Sequence, residues 1–125
     1  MMGQASFFVL VLLFLGITGQ TPSLDEVFDE SIDVDDILDN DRILDTYLKC
    51  FYGTAKCNTL ASAIKERIPD IFSTVCGECT EKQKGIFKHV LVKFIPKRPD
   101  DWELILKIYD PKGEYRPKLE EFIKS

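Results

Sequence analysis

The sequence holds one histidine and one tryptophan among 125 residues, fewer basic than acidic side chains, and no apolar run longer than nine residues. Each shortage removes a class of function. With a single histidine, any Ser-His-Asp or Cys-His arrangement must run through His89. That residue falls at helical spacing with Lys82, Lys88 and Lys93, on what reads as a solvent face, so nucleophilic catalysis is not expected. There is no glycine-rich phosphate loop and no His-rich metal motif. The carboxylates crowd into the N-terminal stretch, where burial deep enough to raise a pKa for acid-base work is not expected. Neither an enzyme nor a cofactor is expected. Sixteen Lys+Arg against 21 Asp+Glu give a net charge of -5. That is the wrong sign for a nucleic-acid binder, which displaces counterions from phosphate with a basic surface.

The nine-residue run, Phe7 to Leu15, is well short of the roughly 20 residues a membrane-spanning helix needs. Followed by small and polar residues, it reads as the core of a secretory signal peptide, residues 1–19, with the α-amino group as its positive charge. Residues 20–125 are then one small secreted domain, extracellular, without stable membrane insertion and expected to be a monomer. At 45% hydrophobic and 30% charged residues the chain is too apolar for disorder, and it is too short for separate cofactor and substrate domains.

Secretion changes the meaning of Cys50, Cys57, Cys76 and Cys79. An even number of cysteines in an oxidising compartment favours disulfides, and four of them allow three pairings that sequence does not separate. A zinc site is disfavoured, because the first gap is six residues and His89 is the sole imidazole. Cys76-Gly77-Glu78-Cys79 has redox-type spacing, but no βαβ pattern surrounds it.

What is present is helical periodicity. After an acidic turn at Val34, Ile37 and Leu38, the residues Ile43, Leu44, Tyr47, Leu48 and Phe51 recur at helical steps up to Gly53. Asn58 is placed as an N-cap for a helix carrying Leu60, Ala61, Ile64 and Ile68 up to Pro69, with a short helix over Ile71 to Val75. Thr80 and Gln83 form a capping-box pattern, opening a helix with Ile86, Phe87, Val90, Leu91, Phe94 and Ile95, which Pro96 ends. Pro99 starts the next, with Trp102, Ile105, Ile108 and Tyr109 on one stripe, and a final amphipathic piece holds Leu119, Phe122 and Ile123. The sum is about six helices and a tail, with no strand. Residues 20–45 carry ten acids and one Arg, whereas 46–125 carry fifteen bases and eleven acids, so the N-terminus is expected to lie against or near the basic remainder. Several apolar faces are wider than a single helix contact requires. Ordinary core and the wall of a cavity both produce such faces.

Specific blocks carry a resemblance. The cysteine spacing, Asp41-Arg42-Ile43-Leu44, Tyr47-Leu48-Lys49-Cys50, Cys79-Thr80-Glu81-Lys82-Gln83, Lys97-Arg98-Pro99-Asp100-Asp101-Trp102 and the run from Tyr109 to Arg116 are similar to those of the insect chemosensory (OS-D-like) proteins, from about Val34 to Phe122. The resemblance implies a compact all-α bundle around an apolar channel, with neighbouring cysteines joined in two local disulfides. It implies non-covalent carriage of long-chain fatty acids, esters, alcohols and other pheromone- or odorant-like semiochemicals. Tyr47 and Trp102 match channel-bordering positions. The inward stripes add Ile43, Leu44, Ile64, Ile68, Ile86, Val90, Phe94, Ile105 and Tyr109 to the expected lining. The alternative is an extracellular interaction protein of development or epidermis, acting through a receptor or another protein partner. The N-terminus departs from the family pattern at Thr21-Pro22-Ser23-Leu24-Asp25-Glu26.

Overall fold

The computed structural model describes residues 22–29 and 31–125, which form seven helices and no strand; the expected signal peptide lies outside the described residues. The helices are α1 (Leu24–Val27), α2 (Val34–Leu38), α3 (Asp41–Tyr52), α4 (Thr59–Thr74), α5 (Glu81–Lys97), α6 (Pro99–Tyr109) and α7 (Arg116–Lys124).

Local chemistry explains most of the boundaries. Asn40 accepts hydrogen bonds from the Arg42 and Ile43 amides to open α3, and Gly53, at φ 82°, closes it in a conformation that side chains other than glycine's adopt at a cost. Asn58 accepts from the Ala61 amide at 2.7 Å. The Thr80–Gln83 capping box is complete in both directions. α7 is opened by Asp110, a buried carboxylate that accepts from the Tyr115 and Arg116 amides at 3.2 and 2.9 Å.

Three expectations need correction. Pro69 does not divide two helices: α4 runs through it from Thr59 to Thr74. Proline removes one helical hydrogen bond, but Pro69 is exposed, so the loss falls on the solvent side while Ile68, Ile71 and Phe72 bury the opposite face as one stripe. Pro96 likewise lies inside α5, which continues to Lys97. At the N-terminus an extra single turn, α1, is capped by Ser23 accepting from the Glu26 amide; the Ser-x-x-Glu pattern there was its signal.

The disulfides are Cys50–Cys57, between the end of α3 and the approach to α4, and Cys76–Cys79, across the turn from α4 to α5. This is the pairing of neighbours that the resemblance implies. Both rings pin turns, and neither ties distant helices together.

Around one core, α4 packs against α1, α3 and α6, while α5 packs against α2, α6 and α7. Phe72 of α4 is central, with ring centroids 5.9 Å from Trp102 and 6.4 Å from both Phe87 and Tyr109. The acidic N-terminal segment does lie on basic side chains. Asp35 of α2 meets Lys93 at 2.9 Å and His89 at 2.8 Å, Asp39 meets Lys93 at 2.8 Å, and Asp41 meets Lys97 at 3.2 Å. Arg98 then joins Asp45 at 2.8 Å to Asp101 at 3.1 Å, linking α3 to the start of α6. Hydrogen bonds from Lys93 and then His89 hold the Asp35 carboxyl below its ordinary range, and Lys97 and Arg98 do the same to Asp41. Exposed pairs of this kind are individually weak. They set the position of α2, whose attachment rests on its apolar side.

Candidate functional site

Between the helices lies an apolar cavity of about 170 Å³. Its walls come from six helices. Leu44, Tyr47, Leu48 and Phe51 are the inner stripe of α3, spaced by three and four residues as one helical face requires. Ile64, Ile68, Ile71 and Phe72 come from α4; Phe87, Val90, Leu91 and Phe94 from α5; Trp102 and Ile105 from α6. Val34, Ile37 and Leu38 of α2, with Val27 and Phe28 at the end of α1, form the remaining wall.

Eight of the eleven expected lining residues are brought together here: Leu44, Tyr47, Ile64, Ile68, Val90, Phe94, Trp102 and Ile105. The other three stand elsewhere. Ile43, one residue off the inner stripe of α3, is 40% exposed. Ile86 borders a separate polar recess with Asp25, Asp29, Thr80, Lys82 and Gln83. Tyr109 sits behind the wall, its ring against Phe72 and its hydroxyl donating to the Phe51 carbonyl at 2.7 Å; burial raises its pKa. Residue reasoning missed Phe87 and Leu91, although they continue the stripe of Val90 and Phe94. It missed Ile71 and Phe72 by dividing α4 at Pro69. It missed α1 and α2 as a wall because their acidic residues pointed only to contact with the basic remainder.

The lining contains no acid, no amine, no guanidinium and no imidazole. Its only side chains with a polar atom are Tyr47 and Trp102, 8% and 4% exposed. The Tyr47 hydroxyl has no hydrogen-bond partner among the described residues, and its ring meets Phe51 edge-on at 6.2 Å. Trp102 is held between Phe72 and Phe94, whose centroids lie 5.9 and 6.5 Å away. Apart from these two, every side chain that borders the space is hydrocarbon, so the lining suits an apolar molecule. His89, at the surface, is engaged by Asp35. All four cysteines are in disulfides, and among the described residues no cluster of three or more His, Cys, Asp or Glu is placed to hold a metal ion. No described helix is long and apolar enough to cross a membrane.

A disulfide-stapled helical bundle with an uncharged interior cavity defines a class of small binding proteins for apolar molecules. The chain belongs to the insect pheromone-binding family A10/OS-D, whose family model matches residues 25–117. It is 45% identical over 97 residues to a candidate odorant-binding protein, A10, of Drosophila melanogaster, a match covering 78% of this chain and 62% of the fly protein's length. Among solved structures it is similar to a chemosensory protein in complex with bromo-dodecanol, at 32% identity and TM-score 0.66, covering 73% of this chain and 91% of the other. The antennal chemosensory protein A6 of the moth Mamestra brassicae gives 32% identity and TM-score 0.64, with 74% and 91% covered. The residues that the family model matches include the four cysteines, Tyr47 and Trp102.

Proposed function

We propose that this protein is a secreted carrier that takes up long-chain apolar molecules, of the alcohol, ester and fatty-acid kind used as semiochemicals, into the cavity between its helices, without turnover. The observation that carries this reading is the lining: nineteen residues from six helices with no charged side chain among them. The complex of a similar chemosensory protein with bromo-dodecanol supports a long-chain ligand.

Burial supplies the affinity. A chain of about fourteen carbons gains roughly 0.8 kcal/mol per CH2 removed from water, enough after association costs for micromolar binding. At about 170 Å³ the cavity is close to the roughly 150 Å³ that holds a benzene-sized guest, so a long chain enters by spreading the walls. α1 and α2, of four and five residues, are the shortest wall elements and are the ones we expect to give way.

Trp102 is the reporter. An entering aliphatic chain changes the surroundings of this single tryptophan, so its emission should change saturably at micromolar ligand while an apolar fluorescent probe is displaced in parallel. If long-chain alcohols, esters and acids do neither while circular dichroism shows a folded helical protein, the carrier reading falls and the partner-binding alternative replaces it. Residues 1–19 are proposed as the cleaved leader. Intact mass of material secreted by insect cells should therefore begin near residue 20, and retention of the full N-terminus would remove that part of the proposal.

A further inference from the structure

We infer that Arg67 is the anchor for a carboxylate head group: a long-chain acid rests its carboxylate on this guanidinium and passes its tail beside Ile71 into the cavity. This deepens the carrier reading and rests on it. The charge cannot travel inward with the tail. An ionised carboxylate taken out of water needs a paired cation or several converging donors, and the lining contains no cation. The head group of an acid therefore stays at the edge, on a cation with donors still to give.

Arg67 is such a cation. Its side chain is 12% exposed, and its Nε is buried without an acceptor. Its ion pairs are long, 3.3 Å to Asp70 and 3.8 Å to Glu78, and those two carboxylate side chains are 65% and 78% exposed. Arg98 and Arg116, by contrast, donate to carboxylates at 2.8 and 2.9 Å, and Lys93 and Lys97 meet theirs at 2.8 and 3.2 Å. A guanidinium can give an incoming carboxylate two parallel N–H bonds, while the exposed Asp70 and Glu78 return to water at little cost. Asp25, a further acid on this side of the bundle, is already held by Gln83, which donates to it at 2.8 Å.

The position suits a head group whose tail is inside. Arg67 precedes Ile68 and stands one helical turn from Ile64 and Ile71, all three wall residues. It lines a recess of about 120 Å³ between Leu24 of α1, the end of α4 and the Cys76–Cys79 turn, and Ile71 lines both that recess and the cavity. Lys65, the other cation of α4, lies about 200° round the helix from Arg67. It stands near Gly53 and borders neither space.

The test holds the tail constant and changes the head. Dodecan-1-ol and sodium dodecanoate would each compete with an apolar fluorescent probe for the full mature protein at neutral pH, below their aggregation limits. Arg67→Met should weaken the acid at least about tenfold and leave the alcohol unchanged. Arg67→Lys, which keeps the charge and loses the fork, should fall between, and Lys65→Gln should change neither ligand. An acid unaffected by Arg67→Met, acid and alcohol weakened alike, or a loss of the acid in Lys65→Gln alone overturns the anchor and leaves the carrier reading standing. Failure of both ligands on the unmodified protein, with the fold intact, overturns both. Should Arg67→Met not fold, the unmodified protein still answers. Bound dodecanoate labelled with carbon-13 at its carboxyl should titrate below its free value beside a guanidinium, whereas a carboxyl drawn into the cavity titrates above it and overturns the anchor.

Discussion

Phe72→Ala is expected to destabilise the protein by about 3 to 5 kcal/mol, the range for removing a large aromatic from a packed core. The residue is 5% exposed and touches the rings of Phe87, Trp102 and Tyr109, so its loss removes contacts to α5 and α6 at once. The disulfides offer little compensation, because each closes a local ring of a few residues and neither holds α4 to its neighbours. Phe72 also lines the cavity, so the truncation enlarges the existing space. A ligand that fills the enlarged space should restore part of the lost stability by mass action. Urea unfolding with and without a long-chain alcohol measures both effects. A loss under about 1 kcal/mol would mean that the aromatic cluster is not the centre of the core.

The second large effect concerns binding. Ile105→Trp and Val90→Phe each add bulk to the wall of a cavity of about 170 Å³. Long-chain ligands should lose at least tenfold in affinity, and short ones less, since they need less of the volume. Overpacking should cost about 1 to 3 kcal/mol of stability, which leaves room for the variants to be measured folded. His89→Ala is the control: it removes an exposed contact to Asp35 outside the cavity and should leave affinity unchanged. Equal losses for long and short ligands, or a loss in the His89 variant alone, would place binding elsewhere.

Much of the fold was legible because helix signals are local. Asn58 and the Thr80–Gln83 pair announced their helices, since a cap bonds amides two or three residues away and needs nothing distant. Pro69 misled for a related reason. Its missing N–H is a local fact, but whether the helix survives depends on what Ile68, Ile71 and Phe72 gain by packing on other helices.

The cavity was only partly legible. The stripe spacing on α3, α5 and α6 showed that Leu44, Tyr47, Val90, Phe94, Trp102 and Ile105 face inward, and family resemblance supplied the channel. Helical character, inward faces and the even cysteine count thus followed from chain-local chemistry, as did the opposed charges of the two parts of the chain. Tertiary structure alone decided that Ile43, Ile86 and Tyr109 stand off the cavity, and that two short acidic helices close one side of it. The reason is physical: periodicity reports which side of a helix avoids water. A cavity is a shortfall of packing among residues far apart in the chain, and a shortfall leaves no period.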